Sequence, residues 1–380
     1  MLPTPQVTMR VDGASYRTIW VAEDGWSVAV IDQTQLPFRF AIKLLTTCEE
    51  VAESIRTMVV RGAPLIGVAA AYGLALALRR DPSDGAFVIA YETLRKARPT
   101  AVNLVWALER MRQAVKALAM GERAAAGYAT AAALCDEDVA INAAIGEQGL
   151  GLIERAWKAR GESGRVNVLT HCNAGWLATV DWGTALAPVY RAHDAGIPVH
   201  VWVDETRPRN QGARLTAWEL GKHGVPHTLV ADNAGGLLMQ RRQVDLCLVG
   251  TDRTTARGDV CNKIGTYLKA LAARDCGVPF YVGAPSPSID WTLQDGLKEI
   301  PIEERDPGEV LEIAGQTAEG LLPTVRLAPP QSPAFNPAFD VTPARLVTAI
   351  ITERGICDAS AAGLARLFGR EPSASTGAAA

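Results

Sequence analysis

Residues 244–267, VDLCLVGTDRTTARGDVCNKIGTY, pass from an apolar run through a polar loop into a predicted helix. Residues 244–249 are typical of a short strand buried on both faces, and Gly250 ends that strand. Asp252 lies just beyond the strand end, where open α/β sheets bind their ligands. Asp252 is therefore a candidate catalytic acid, and the alternative is an aspartate that only caps a loop.

The end of the same stretch offers groups that suit an anion. Asn262 is predicted to begin a helix that runs to about residue 275 and stops at Gly277. Such a start combines a side-chain cap and free backbone N–H groups with the positive charge of Lys263. The pattern therefore favours binding of an anionic group at Asn262 and Lys263.

Strands and helices alternate after Gly164, which predicts an α/β fold with a Rossmann-like parallel sheet. Polar residues follow four of the five predicted strands, as a crevice lined from several strands requires. No GxGxxG motif follows the first strand, which argues against a nicotinamide dehydrogenase. The predicted strands are residues 166–170, 199–203, 227–231, 244–249 and 279–283, and the polar exits are His171-Cys172-Asn173, Asp204-Glu205, Asp232-Asn233 and Thr251-Asp252.

The first part of the chain is predicted to be a mainly helical domain with a small antiparallel sheet. Residues 18–22 and 26–31 form that sheet around the turn signal Asp24-Gly25. A helix over residues 48–60 leads into Arg61-Gly62-Ala63-Pro64, where small residues let a ligand approach backbone N–H groups beside a positive charge. The alternative at this junction is a plain corner between two helices.

Arg98 precedes a further predicted helix, whose start signals are Pro99 and Thr100. It is a second candidate phosphate ligand if it meets Arg61 in space. Otherwise it is a solvated surface arginine.

Two domains and a tail are predicted from these patterns. The first domain covers residues 1–130 and the second covers residues 131–370, with a long Ala-rich helix over 124–160 at the boundary. Residues 321–343 are predicted to be extended and residues 343–354 helical. The small polar residues 371–380 are predicted to be disordered.

Composition limits the classes of partner and site. The chain has 380 residues, a formal net charge of -3 and 48% hydrophobic residues, which gives no reason to expect nucleic acid or an anionic membrane as a partner. Seven cysteines lack CxxC or metal-finger spacing, which predicts reduced thiols in the cytoplasm and no metal site. Residues 62–78 carry no charge, but Pro64 and Gly67 interrupt them, which is typical of a buried helix and its approach.

Cys172 directly follows the first predicted strand and precedes a turn of small residues, so its thiol could face the crevice. The alternative is a buried, inert cysteine. Several motifs, in this order along the chain, together resemble those of the methylthioribose-1-phosphate isomerases of methionine salvage. They are Arg61-Gly62-Ala63-Pro64, Arg98-Pro99-Thr100, His171-Cys172-Asn173-Ala174-Gly175, Asp204-Glu205-Thr206-Arg207-Pro208 with Gln211-Gly212, Gly250-Thr251-Asp252-Arg253, Asn262-Lys263-Ile264-Gly265-Thr266-Tyr267 and Asn336-Pro337-Ala338-Phe339-Asp340-Val341-Thr342-Pro343.

This resemblance implies a homodimeric aldose–ketose isomerase that converts 5-methylthioribose 1-phosphate to 5-methylthioribulose 1-phosphate without metal or nucleotide. It implies that Cys172 and Asp252 are the catalytic pair. Trp176 and Thr251 depart from the alanines common in the family at those positions, and they affect the expected shape of the sugar pocket. The residues implied to bind substrate, mainly its phosphate, are Arg61, Gly62, Ala63, Arg98, Gln211, Asn262 and Lys263.

Three other functions stay open at this point. Related regulatory subunits of a translation-initiation exchange factor bind partners without catalysis, but the presence of both Cys172 and Asp252 argues against that role. A ribose-1,5-bisphosphate isomerase would need further positive charge for its second phosphate. An isomerase of a related pentose 1-phosphate, 5-deoxyribose 1-phosphate, is the third alternative.

Overall fold

The computed structural model describes residues 9–98 and 101–371. Pro99 and Thr100, the predicted helix start signals, lie outside the described residues, as does the predicted disordered tail beyond Glu371. The elements of the first part of the chain are β1 (Arg10–Val11), β2 (Ala14–Ser15), β3 (Ile19–Val21), β4 (Val28–Ile31), β5 (Ile42–Leu45), α1 (Cys48–Arg56), α2 (Ala63–Arg80), α3 (Asp84–Ala97), α4 (Val102–Val115) and α5 (Met120–Ala159).

The predicted small antiparallel sheet is present as β3, β4 and β5. The turn between β3 and β4 forms because the Asp24 carboxylate accepts hydrogen bonds from the backbone N–H groups of Trp26 and Ser27, at 2.9 and 2.8 Å. Val28 and Val30 of β4 are fully buried in the core of the helical part. The sheet therefore anchors the start of the chain to the helices.

Helix α2 lies at the centre of the helical part. By length and composition it could cross a membrane, but 78% of it is buried inside the protein. It packs against α1, α4 and α5, which accounts for its alanine content, because small side chains allow close helix contacts. Helix α2 is thus a core helix, as the sequence predicted.

Helix α5 spans 40 residues and packs on both α2 and the later helix at Ala187–Asp194. Residue 130, the predicted domain boundary, lies within this helix, and the division into two domains stays a prediction. The elements that follow are β6 (Val166–Thr170), α6 (Ala187–Asp194), β7 (Val199–Asp204), α7 (Ala217–His223), β8 (His227–Val230), α8 (Ala234–Gln240), β9 (Leu246–Val249), β10 (Arg253–Thr255), β11 (Val260–Lys263), α9 (Thr266–Cys276), β12 (Phe280–Gly283), β13 (Ile289–Asp290), α10 (Gly296–Glu299), α11 (Gly308–Leu311), β14 (Glu312–Ala314), β15 (Thr324–Arg326), β16 (Phe339–Thr342), β17 (Ala349–Thr352), β18 (Gly355–Cys357) and α12 (Ala361–Phe368).

The predicted parallel sheet is confirmed, with the strand order β18-β17-β12-β9-β6-β7-β8. All neighbouring pairs are parallel except β17 and β18. When the other six strands are numbered 1 to 6 along the chain, leaving out β18, their order across the sheet is 6-5-4-1-2-3. This is the doubly wound order of Rossmann folds. The order reverses between β6 and β9, so the ligand crevice is expected at their carboxyl ends.

The prediction that Asn262 begins a helix is wrong. Asn262 and Lys263 end strand β11, and α9 begins at Thr266, three residues after Lys263. Strand β11 pairs with β16, where Asn262 lies opposite Asp340 and Lys263 opposite Phe339. A second, four-stranded sheet of order β13-β10-β11-β16 thus overrides the local helix signal, because partners distant in sequence supply its hydrogen bonds.

The helix predicted over residues 343–354 is also wrong. Only a single 3₁₀ turn forms there, at Ala344–Leu346, and strands β17 and β18 follow it. Ile350, Ile351 and Thr352 are fully buried, and their β-branched side chains suit a strand that pairs with β12. The extended run before it is largely confirmed, with β15 and β16 inside residues 321–343.

Candidate active site

Cys172 and Asp252 follow the two strands that flank the reversal of strand order. Strands β6 and β9 are direct neighbours, with Val168 opposite Leu246 in the parallel register. Cys172 comes two residues after the end of β6, and Asp252 comes three residues after the end of β9. The topology therefore brings both candidate catalytic residues to the place where this fold binds ligands.

The backbone of Cys172 is held in the left-handed region, with φ of 68°. Its N–H donates to Thr206 Oγ1 at 2.9 Å, and its carbonyl accepts from Thr216 Oγ1 at 2.7 Å. The thiol donates to Gln211 Oε1 at 3.5 Å. Non-glycine residues in this conformation are strained and concentrate at functional sites. This favours a functional role for Cys172 over a purely structural one.

Burial raises the pKa of the Cys172 thiol, whose residue is 6% exposed. The positive charges of Arg61 and Lys263 oppose that rise, and the carboxylate of Asp252 adds to it. The thiol is therefore protonated near neutral pH, and the charges of Arg61, Lys263 and Asp252 all act on it. Electrostatically, the four residues form one site.

Arg61 is buried and fixed against the loop that follows β6. Its two terminal nitrogens donate to the side-chain oxygen and to the backbone oxygen of Asn173, the latter at 2.9 Å. Burial lowers the pKa of Arg61, because little water remains to solvate its charge. Gly62 precedes α2 with φ of 94°, and a Cβ there would overlap the carbonyl oxygen of Ala178. Only glycine fits this contact between the two parts of the chain.

Arg98 and Lys263 both approach the ring of Phe339. The Arg98 guanidinium lies 5.9 Å from the ring centroid, and the Lys263 ammonium lies 4.6 Å from it. Lys263 also donates to the carbonyl oxygen of Ala338 at 2.9 Å, and burial lowers its pKa. The predicted ligands Arg98 and Lys263 are thus brought together although 165 positions separate them in the numbering.

A cavity that is partly open to solvent, with about 410 Å³ of empty space including that solvent, lies beside these cations. Asp252, Arg98 and Ala63 line it together with apolar side chains, so an acid and a cation face the same space. The residues that line it are Ala63, Ile66, Arg98, Ala101, Asp252, Arg253, Cys261, Ile300, Pro301 and Phe339.

A second cavity, of about 370 Å³, contains the other predicted ligands Arg61 and Gln211. Arg61 and Arg98 therefore line different cavities, although the charge of each still acts on the other. Convergence of all the predicted ligands on one phosphate stays a prediction. The residues around this cavity are Gln33, Thr34, Met58, Arg61, Arg209, Gln211, Arg214 and Leu215.

Sequence reasoning missed two acids beside the site, one fully buried and one partly buried. Glu219 accepts hydrogen bonds from the Tyr190 hydroxyl at 3.0 Å and the Leu177 N–H at 3.1 Å, and burial raises its pKa to about 7. A Cβ on Gly175 would overlap the Glu219 carboxylate, so Gly175 makes room for it. The second acid, Glu303, lies 3.5 Å from Arg98. Neither acid stands in a motif that marks its position.

One group of side chains has metal-ligand character within the described residues. His171 Nδ1 lies 2.9 Å from Asp204 and 3.9 Å from Asp232, and its Nε2 contacts the carbonyl oxygen of Ile264 at 2.8 Å. The Lys269 ammonium lies 3.2 Å from Asp204 and donates to the backbone carbonyl of Asp232. Since a lysine cation already neutralises the buried Asp204, these residues fit an internal ion pair better than a metal site.

Segments around the site show irregular backbone. Gly212–Thr216 forms a π-helical turn that follows Gln211 and precedes α7, and such turns are frequent at functional sites. Arg207-Pro208 is a cis peptide bond, and the Thr206 and Arg207 N–H groups both donate to Asp232 at 2.7 Å. These hydrogen bonds to Asp232 fix the loop that carries Gln211 toward Cys172.

The initiation factor 2 subunit family matches residues 59–359 of this chain. Methylthioribose-1-phosphate isomerase from Acidiphilium cryptum is 64% identical over 361 residues, which cover 95% of this chain and 98% of the relative. The crystal structure of 5-methylthioribose 1-phosphate isomerase from Pyrococcus horikoshii OT3 superposes with a TM-score of 0.81 at 42% identity, covering 97% and 99% of the two chains. The translation initiation factor eIF-2B subunit delta from A. fulgidus superposes with a TM-score of 0.76 at 37% identity, covering 93% and 100%.

Proposed function

The chain belongs to the initiation factor 2 subunit family as a methylthioribose-1-phosphate isomerase of methionine salvage, and we propose that Cys172 and Asp252 are its catalytic pair. The observation that carries this proposal is the position of both residues at the reversal of strand order between β6 and β9. One is a protonated thiol and the other an acid that lines a cavity. The enzyme converts 5-methylthioribose 1-phosphate to 5-methylthioribulose 1-phosphate.

The reaction needs an acid because the C1 oxygen of the sugar carries the phosphate. The ring bond from C1 to the ring oxygen must break, and the ring oxygen must gain a proton. One hydrogen moves from C2 to C1. The C2 hydroxyl loses its hydrogen and becomes a carbonyl, and the ring oxygen gains a hydrogen and becomes a hydroxyl. Atoms balance whether the C2 hydrogen moves as a proton through an enolate or as a hydride.

Asp252 is proposed to deliver the proton to the ring oxygen, since it lines the cavity of about 410 Å³ beside Arg98. Cys172 is proposed to stabilise charge or relay a proton at the C1–C2 unit. Its hydrogen bond to Gln211 and the positive charges of Arg61 and Lys263 suit a site where negative charge develops. Both roles follow from position, since each residue ends a strand at the crevice.

The phosphate is proposed to bind the cations around the site. Arg61 and Lys263 are buried with lowered pKa values, and a buried cation is costly until an anion meets it. Arg98 lines the cavity that contains Asp252. The proposed substrate ligands are Arg61, Gly62, Ala63, Arg98, Gln211, Asn262 and Lys263.

The second cavity favours an uncharged C5 substituent over a second phosphate. Two further arginines line it, but Arg209 is paired with Glu309 at 2.6 Å, and Arg214 donates to the carbonyl oxygens of Leu36 and Thr34 at 3.0 and 2.7 Å. Met58 and Leu215 line the same space. This lining suits the methylthio group, since a thioether contacts apolar side chains well.

A cytoplasmic location is proposed from the cysteines. All seven are free thiols, including the partly exposed Cys276, as expected in a reducing compartment. A homodimer is also proposed, as the family resemblance implies. In support, Leu229 on β8, Leu237 on α8 and Leu268 on α9 are 48%, 48% and 61% exposed, and β8 is an open edge of the large sheet.

A comparison of three substrates tests the function. Purified protein is incubated with 5-methylthioribose 1-phosphate, 5-deoxyribose 1-phosphate and ribose 1,5-bisphosphate, and kcat/KM is measured for each. The highest value is expected for the methylthio sugar. A higher value for the bisphosphate would overturn the substrate assignment, and turnover of none of the three would favour the regulatory role suggested by the eIF-2B likeness.

A further inference from the structure

Glu303 places a carboxylate among the cations assigned to the substrate phosphate. Its Oε2 is buried without a hydrogen-bond partner among the described residues, and Arg98 Nε lies 3.5 Å from it. Its Oε1 accepts from Arg305 at 2.9 Å. Arg98, Arg305 and Lys263 all act on its charge, and they hold the pKa of the carboxyl below its usual range against the effect of burial.

We propose that Glu303 is a built-in anion that occupies the phosphate-binding cations of the free enzyme and yields to the substrate phosphate. The inference rests on the proposed phosphate site at Arg98 and Lys263. It assigns Glu303 a binding role, which selects substrate over free phosphate. A whole sugar phosphate gains contacts along its length, whereas inorganic phosphate must displace Glu303 through the anion alone.

The contact between Glu303 and Arg98 is suited to exchange. At 3.5 Å it is longer than a charged hydrogen bond, which spans about 2.7–2.9 Å. A phosphate oxygen with freedom to approach would bond Arg98 better than the carboxylate does. Because phosphate also carries more charge than a carboxylate, it is the stronger partner for several cations at once.

The surrounding segment stays in place when Glu303 yields. The carbonyl of Glu303 accepts from the N–H of Ala338 at 2.8 Å, and the N–H of Arg305 donates to Asn336 at 2.9 Å. Arg305 keeps its hydrogen bonds to Glu309 at 2.8, 3.0 and 3.2 Å. Displacement therefore breaks one hydrogen bond and one loose ion pair, while the backbone remains fixed.

The test is calorimetric titration of inorganic phosphate into wild-type protein, Glu303→Gln and Glu304→Gln at low ionic strength. Glu304→Gln is the matched control, because it removes the same charge from the neighbouring, exposed position. Glu303→Gln is expected to bind phosphate about three- to tenfold more tightly than wild type, since a repelling charge is gone. Glu304→Gln is expected to stay within about twofold of wild type, because the water around an exposed charge weakens its interaction with the site.

The double variant Arg98→Ala/Glu303→Gln is expected to lose the gain. Equal or weaker phosphate binding by Glu303→Gln than by Glu304→Gln would overturn the inference, and Glu303→Ala repeats the test if the glutamine variant is unstable. Isomerase activity of the wild type is measured separately. If the wild type lacks activity but Glu303→Gln binds phosphate more tightly, the proposed function fails and the inference about Glu303 stands. If the wild type is active but Glu303→Gln binds phosphate no more tightly, the inference fails and the proposed function stands.

Discussion

Substitution of Arg98 by alanine should separate substrate binding from stability. Arg98 lines the cavity with Asp252, and its ion pair with Glu303 is long, at 3.5 Å. A charged hydrogen bond to phosphate contributes about 1.5–3 kcal/mol, and each 1.4 kcal/mol is about tenfold in affinity. Arg98→Ala should therefore lower kcat/KM by about 10- to 100-fold, mainly through a higher KM.

The effect of Arg98→Ala on folding should be small by comparison. A loose ion pair between partly exposed side chains contributes about 0–1 kcal/mol, so the free energy of unfolding should change by no more than about that amount. Initial rates give KM and kcat, and urea unfolding gives stability. Arg95→Ala is the control, because Arg95 lies in the last turn of α3, just before Arg98, but pairs only with Glu92 on the surface among the described residues.

A rise in KM is expected for Arg98→Ala that Arg95→Ala does not share. An unchanged kcat/KM in a folded Arg98→Ala variant would refute the phosphate role of Arg98. A loss of stability larger than the loss of kcat/KM would instead make Arg98 a structural residue.

Three further predictions concern the rest of the site. Because burial raises the pKa of Cys172, alkylation of this thiol should be slow at neutral pH, accelerate as pH rises, and be blocked by substrate. Mass spectrometry identifies the alkylated residue. A label elsewhere, together with a fully active Cys172→Ser variant, would exclude Cys172 from catalysis. Burial raises the pKa of Glu219 from 4.5 to about 7, so the folded chain binds its proton more tightly, and this contribution to stability is present below pH 4.5 and lost as pH rises through 7. Glu219→Gln should flatten that part of the stability–pH curve in urea unfolding at pH 5 and pH 8, and an unchanged slope would contradict the assignment. Chelator should leave kcat unchanged, since Lys269 already neutralises Asp204, whereas loss of activity restored by a divalent cation would contradict this.

The large sheet was predictable from the sequence because its strands are compact apolar runs separated by turn signals. The ends of β6 and β9 place Cys172 and Asp252 at the crevice as candidates, and the resemblance to the isomerase family implied that they are the catalytic pair. The observed strand order adds that the two exits are neighbours.

The errors have a common physical cause. Residues near Asn262 carry helix-start signals, but pairing of β11 with β16 determines their conformation. The β-branched residues 350–352 lie in a segment predicted as helix, and pairing with β12 makes it a strand. In both cases the deciding hydrogen bonds come from strands far away in the sequence, which a local pattern cannot reveal.

The same limit applies to the acids beside the site. Glu303 meets Arg98 across more than 200 positions of the chain, and Glu219 reaches Tyr190 and Leu177 from another helix. An isolated glutamate gives no signal of such contacts. Only burial and distance in the folded chain mark these two residues.

The most direct test of Asp252 as the catalytic acid is single-turnover conversion of 5-methylthioribose 1-phosphate by wild type and Asp252→Asn. The amide keeps the shape of the side chain at the end of β9 but cannot donate the required proton. With substrate in excess of its dissociation constant, we expect a folded variant that binds substrate and converts it about 10² to 10⁴ times more slowly. Conversion at a rate near that of the wild type would contradict the assignment of Asp252 as the catalytic acid.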